Sequence, residues 1–167
     1  MEAVGVMIST RRHLEFAAGY LELGMNTEAA EELEAIEGTA RLSADVMRVR
    51  SDLYVATKQW DLLLAVSREL AREKPDEEKG WVYTAYALRE LERIVEAKAV
   101  LIEAEARHGQ TCAVLHYNLA CYHCLLGEIP AAKTRLAIAC RMNAAWRAAA
   151  LEDEDLRAMW NEIEAMP

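Results

Sequence analysis

Apolar and polar residues alternate along this chain with the period of an α-helix. In successive runs, apolar or small side chains return every three or four residues, and short polar turns separate the runs. Glycine and proline are rare, at 7 and 3 of 167 residues, and segments rich in Val, Ile and Thr are few. The pattern therefore predicts a chain that is almost entirely α-helical.

The helical runs repeat along the sequence in a fixed register. Four run ends follow one another at spacings of 34, 34 and 35 residues, at Gly24, Lys58, Glu92 and Gly127. Small residues return in the same register, at Ala17, Ser51, Ala85 and Ala120. Such a period predicts stacked units rather than one globular core, and turns of about three residues make the two helices of each unit antiparallel.

The repeat divides the chain into four helix pairs between two flanking segments. The predicted units span residues 11–42, 43–76, 77–110 and 111–144, after an N-terminal segment of residues 1–10. Residues 145–167 break the period, with four consecutive acids followed by apolar residues at helical spacing, namely Leu156, Met159, Trp160 and Ile163. A stack needs a terminal element to cover its last apolar face, so this segment is predicted to be a C-terminal cap.

The repeat resembles the tetratricopeptide repeat (TPR). The fourth unit matches the motif most fully, with Tyr117-Asn118-Leu119-Ala120-Cys121-Tyr122, Gly127, Ala132, Leu136 and Ala139. The third carries Trp81, Ala85, Ala97, Leu101 and Ala104, and the first carries Ala17, Tyr20, Gly24, Ala29 and Leu33. The second departs from the motif with Arg50, Lys58 and Ser67 but keeps Tyr54 and Pro75. The resemblance implies an all-α, right-handed α-α superhelix (solenoid) of four TPR-like helix pairs with a C-terminal capping helix.

In the TPR family the first helix of each unit lines a concave groove. The resemblance places ten residues of this chain there: Leu14, Ala18, Arg48, Asp52, Val82, Tyr86, Arg89, Tyr117, Cys121 and Cys124. Tyrosines, small apolar residues and two arginines suit a short peptide with apolar anchors and an acidic group, and we place the centre at Tyr86, Arg89 and Tyr117. The predicted function is protein or peptide binding, as an adaptor, scaffold or chaperone with an unidentified partner.

One TPR subclass clamps a C-terminal carboxylate with lysine and asparagine side chains. Leu14 and Ala18 stand at the positions of its first Lys and Asn. This chain is therefore not predicted to bind that class of ligand.

Charge narrows the range of partners. The net charge of −9 argues against nucleic acid and against an anionic membrane surface. Residues 1–40 hold eight acids and two arginines, whereas residues 130–150 hold Lys133, Arg135, Arg141 and Arg147 and no acid. Opposite charges at the two ends would allow weak head-to-tail self-association, although solubility is the favoured explanation of the charges.

Two other functions remain open alternatives. A secretion-type TPR chaperone for a hydrophobic substrate would have a similar size and charge. A metal or redox module would use Cys121 and Cys124 with His116 and His123, but the chain has no second Cys-x-x-Cys and His123 points away from the cysteine face of the predicted helix. Neither a metal nor a cofactor is predicted.

Catalytic motifs do not stand out in the sequence. We find no phosphate-binding glycine loop, nucleophile elbow or HExxH motif, so no enzyme is predicted. The apolar stretch in MEAVGVMIST is too short for a secretion signal or a membrane span, which predicts a cytoplasmic protein.

Overall fold

The computed structural model describes residues 8–165, and over that range the chain is helical without strands. A 3-10 helix, Gly38–Leu42, follows the first helix pair, and another, Glu154–Met159, lies near the C-terminus. The α-helices are α1 (Thr10–Glu22), α2 (Asn26–Glu34), α3 (Ala44–Ala56), α4 (Trp60–Glu73), α5 (Glu78–Glu90), α6 (Ile94–His108), α7 (Ala113–Leu125), α8 (Ile129–Met142), α9 (Ala145–Ala150) and α10 (Trp160–Glu164). Most of the predicted N-terminal segment lies outside the described residues.

The joint inside each helix pair has the same backbone conformation. Its residues have φ values of 72°, 54°, 61° and 75°, in the order Gly24, Lys58, Glu92 and Gly127. In the third pair the amide of Glu92 donates to the carbonyl of Arg89 at 2.9 Å, and that of Arg93 donates to Leu88 at 2.8 Å. This left-handed turn satisfies carbonyls at the end of the first helix and reverses the chain, so the four pairs follow the register of the sequence repeat.

The register also determines which side chains are buried. The small residues of the first helices, Ala17, Ser51, Ala85 and Ala120, are fully buried. Two buried serines of the second unit are hydrogen-bonded within the chain: the Ser51 hydroxyl donates to the Met47 carbonyl at 2.8 Å, and the Ser67 hydroxyl accepts from that of Thr84 at 3.0 Å. Small side chains at these positions allow neighbouring helix backbones to approach closely.

Among the described residues, the array contains two hydrophobic cores. The N-terminal core lies between the first two pairs and consists of Ala17, Ala29, Leu33, Ile36, Val46 and Leu53. The C-terminal core is larger, extends from α4 to α10, and includes Leu156, Met159 and Ile163 from the end of the chain. The end of the chain is thus part of the larger core.

The C-terminal tail, defined here as residues 145–165, differs from a single capping helix. It contains α9 with six residues, a 3-10 helix and α10 with five residues. Asp153 interrupts the helical run, because its side chain accepts the amide of Asp155 at 3.0 Å and so caps the 3-10 helix. This turn lets the tail bend across α7 instead of continuing along the stack.

None of the helices in residues 8–165 has both the length and the apolar character needed to cross a lipid bilayer.

Candidate peptide-binding face

The first helices of the four pairs, α1, α3, α5 and α7, carry the ten residues predicted to line the concave face. Six of them are at least partly exposed to solvent: Leu14, Ala18, Arg48, Asp52, Tyr86 and Arg89. The other four are buried: Val82, Tyr117, Cys121 and Cys124. The exposed and buried members divide largely by position along the array, so the face has an N-terminal and a C-terminal half.

The N-terminal half, formed by α1, α3 and the start of α5, is open. A cavity of about 530 Å³ is lined by Leu14 and Ala18 together with residues at the starts of α1 and α3. A second cavity of about 410 Å³ also touches Ala18 and extends over Leu21, Val55 and Tyr83. The two cavities share Ala18 and form a shallow, mainly apolar surface.

Charged residues of this half are bonded to the following unit. Arg48 donates to Glu77 through Nε at 2.8 Å and through Nη2 at 2.6 Å. Asp52 accepts from Lys79 at 2.7 Å and from the Tyr83 hydroxyl at 2.8 Å. These bonds hold the helix pairs in register and leave an apolar floor between polar edges.

The C-terminal half, formed by α5 and α7, is covered by the chain's own tail. Arg89 on α5 binds Asp155 through two nitrogens, with Nε donating at 2.8 Å. The Tyr117 hydroxyl on α7 donates to Asp153 at 2.8 Å. Tail carboxylates therefore bond two of the three residues placed at the centre of the predicted site, Arg89 and Tyr117.

Further contacts hold the tail on this half of the face. The Trp146 ring stacks on Tyr117, with centroids 4.3 Å apart and planes inclined by 28°. The Cys121 thiol lies 3.7 Å from a carboxylate oxygen of Asp153. Leu156 and Met159 are fully buried in the C-terminal core. The tail thus combines carboxylates with apolar anchors on a single surface.

The two cysteines on this half, Cys121 and Cys124, are buried. Burial raises the pKa of the Cys121 thiol well above its ordinary value, and nearby carboxylates raise it further. Burial likewise raises the pKa of Cys124. A thiol that stays protonated is a poor nucleophile, so this environment does not activate either cysteine for redox chemistry.

The residues of the zinc alternative do not converge. His116 contacts the Gly109 carbonyl through Nε2 at 2.8 Å, and His123 contacts Glu128. Ligand atoms of Cys121, Asp153 and Asp155 do lie within 4.8 Å of one another. The two carboxylates of that cluster already accept bonds from Tyr117 and Arg89, so the cluster forms an internal polar contact.

The basic residues near the end of the array are also bonded within the chain. Lys133 lies 3.5 Å from Glu162 of the tail, and Arg147 donates to the Glu164 carbonyl at 3.0 Å. Arg135 binds Glu105 on α6, with Nη2 donating at 2.9 Å. Three of the four cations that suggested head-to-tail association are therefore engaged within the same chain.

Sequence reasoning does not identify Asp153, Asp155 or Trp146 as part of the concave face. From the sequence, the acidic run is expected to be the start of a capping helix. An informative signal is nevertheless present, because the predicted site contains Arg89 and is expected to bind an acidic group. The tail supplies that group from 66 positions further along the chain.

Solved structures with the same fold include a TPR protein. MamA (MSR-1, C2) matches with a TM-score of 0.70 and 19% identity, over 87% of this chain and 82% of that one. A MamA mutant matches with a TM-score of 0.67 and 20% identity, over 86% and 81%. A thermophilic TPR protein of Thermus thermophilus matches with a TM-score of 0.68 and 19% identity, over 95% and 82%.

No protein-family model and no curated protein matches the sequence. The similarity to the solved structures lies in the fold, and it agrees with the all-α superhelical repeat that the sequence predicts.

Proposed function

We propose that this TPR-fold chain is a protein-interaction module that binds a peptide segment or a helix of a partner on its concave face. One observation carries the proposal: the N-terminal half of the face has an apolar floor at Leu14, Ala18 and Leu21 that the rest of the described chain leaves open. Shallow apolar surfaces with polar edges are typical of sites for peptides and helices. No enzymatic activity is proposed.

The lining of the open half indicates what it would bind. Its charged residues are mostly acidic, with Glu15, Glu22, Asp45 and Asp52 against Arg11. A segment with apolar side chains and neutral or basic flanks complements this surface better than an acidic one, because like charges facing each other disfavour association.

Among the possible roles, we favour an adaptor or scaffold. The open floor is small and shallow, which suits a few anchoring side chains. A chaperone for a hydrophobic substrate would need a longer continuous apolar surface, and the tail covers the C-terminal half of the face. Binding of an unfolded apolar chain in preference to a short defined peptide would favour the chaperone.

The proposal is tested with peptides selected from a random library against the full chain. Fluorescence anisotropy then measures their affinity for wild type and for an Ala18→Arg variant. We expect Ala18→Arg to weaken binding by at least about tenfold, because it places a long charged side chain between the two cavities. The matched control is Val95→Arg on α6, which replaces an exposed residue outside both cavities. Equal affinities for all three proteins would exclude this site.

A further inference from the structure

The tail lies on the C-terminal half of the concave face in the manner of a bound peptide. Its carboxylates contact Arg89 on α5 and Tyr117 on α7, which belong to different units. We propose that the tail is an intramolecular ligand of this half and that a partner segment of the same chemistry displaces it. This inference rests on the proposed function, because displacement matters only if the concave face binds partners.

The tail makes a contact further back along the array than a helix that simply continued the stack would make. Within the array, polar residues of α3 bond to the unit that directly follows, as Asp52 does with Lys79. Asp155 instead passes the fourth unit and reaches Arg89 in the third. A cap that merely covered the last helix pair would not need this contact.

The tail's own contacts define the chemistry of the partner. Two carboxylates stand two positions apart, and the turn at Asp153 lets both face α5 and α7. Leu156 and Met159 follow and are fully buried. The expected partner is therefore an acidic segment with two carboxylates separated by one residue, followed by apolar residues in the positions of Leu156 and Met159.

Charge directs such a segment to this half of the face. The tail holds six acids and two arginines, and it contacts the cations Arg89 and Lys133. The charged residues that line the open half are mostly acids. An acidic partner is thus attracted to the C-terminal half once the tail leaves, and repelled by the N-terminal half.

The local structure of the tail allows it to open separately. Its α-helices have six and five residues, whereas α1 to α8 have between 9 and 15. Short helices have little stability of their own, and such segments open at a lower free energy than the whole domain. Tethering gives the tail an effective concentration on the order of millimolar, which keeps the face covered until a partner competes.

Opening of the tail can be measured on the unmodified full chain. Hydrogen exchange should show tail amides exchanging at least about tenfold faster than those of α5 and α7. Alkylation by iodoacetamide, localised by tandem mass spectrometry, should modify Cys121 at a rate that follows tail exchange, because Asp153 lies against its thiol. Tail amides as protected as those of α7 would show that the tail opens only with global unfolding, and this would overturn the proposal.

Displacement is tested with a fluorescein-labelled synthetic peptide of residues 150–165. Fluorescence anisotropy measures its affinity for the wild-type chain, for Asp153→Asn/Asp155→Asn, and for Glu152→Gln. Glu152 is an exposed tail carboxylate outside these contacts, so its variant is the matched control. We expect the double variant to bind the peptide at least about tenfold more tightly than wild type, and Glu152→Gln to bind like wild type.

The remaining outcomes also decide the question. A folded double variant that binds no more tightly than wild type would overturn the proposal, and if the variant does not fold, hydrogen exchange on the wild-type chain decides. A labelled peptide in which both aspartates are replaced by asparagine should bind the double variant no more tightly than it binds the wild-type chain. Failure of the proposed function can be told apart from failure of this inference. Ala18→Arg alters only the open half, so it should weaken peptide binding there and leave the hydrogen exchange of tail amides unchanged.

Discussion

The N-terminal half of the concave face is an open apolar surface, whereas the C-terminal half is covered by the chain's own tail. The same type of polar bond occurs in both halves. Arg48 and Asp52 are bonded by the start of the next unit, and Arg89 and Tyr117 are bonded by the tail. In both halves, polar residues of the first helices are bonded by a later part of the chain. In the N-terminal half this is the next unit, and in the C-terminal half it is the tail, which passes the fourth unit to reach Arg89.

The strongest test of the comparison is whether the tail belongs to the core. Leu156→Ala should lower the free energy of unfolding by about 3 kcal/mol, because a fully buried leucine leaves a cavity. Urea denaturation measures this. Leu125→Ala is the control, since Leu125 is 44% exposed, and we expect a loss below about 1 kcal/mol. Equal small losses would mean that the tail contributes little to the C-terminal core.

Two glycines in first helices differ in how closely a neighbouring helix packs against them. A Cβ on Gly80 would lie 2.5 Å from the backbone nitrogen of Ala71, so Gly80→Ala should destabilise the chain. We expect a loss of about 2 kcal/mol from forced separation of α4 and α5. A Cβ on Gly19 in α1 meets open space, and Gly19→Ala should stabilise by about 0.5–1 kcal/mol. Thermal unfolding of both variants checks the contrast, and a neutral Gly80→Ala would contradict the close helix contact.

Substitutions at the joints inside the helix pairs should have smaller effects on stability, and those that introduce glycine should be stabilising. Glu92 and Lys58 hold positive φ values that disfavour residues with a Cβ. Glu92→Gly and Lys58→Gly should each stabilise the protein by about 0.5–1 kcal/mol, while Gly127→Ala should destabilise it by a similar amount. Urea midpoints at constant slope measure these changes. A stabilised Gly127→Ala would show that the joints of the two halves are not equivalent.

The smallest expected effect on stability comes from the ion pair between Arg48 of the second unit and Glu77 of the third. A hydrogen bond from Arg48 holds the pKa of Glu77 below its ordinary value of 4.5. The stability contributed by this pair is therefore present above about pH 4.5 and is lost as the pH falls through the lowered pKa.

Arg48→Ala should return the Glu77 pKa toward 4.5, as measured by carbon NMR of the carboxyl group. Arg41→Ala is the control, because Arg41 pairs with Glu34 and not with Glu77. An unchanged Glu77 pKa in Arg48→Ala would contradict the bond between the two units.

Much of the fold was predictable because it depends on local rules repeated four times. A left-handed joint and a small residue at each helix crossing recur at fixed intervals, so Gly24, Ala17 and their equivalents could be aligned directly. Even the degenerate second unit follows the rule, because Lys58 adopts the glycine conformation without being glycine.

The covered half of the concave face was not predictable in the same way. The contact between Arg89 and Asp155 joins residues 66 positions apart and has no periodic counterpart. The tail's helices are too short to show a strong hydrophobic period, and the break at Asp153 depends on one side chain accepting a nearby amide. The two arginines that the TPR resemblance places in the groove predicted an acidic group in the ligand, but not that Asp155 of the same chain would bond one of them.

The ion pair between Arg89 and Asp155 has a consequence for gene duplication. A further unit inserted between the first and second would leave the third unit, the fourth unit and the tail next to one another, and would keep the pair. A unit inserted between the third and fourth would carry Asp155 one repeat away from Arg89 and break the pair. The ion pair thus constrains the number of units between Arg89 and the tail, but not the number that precede the third unit.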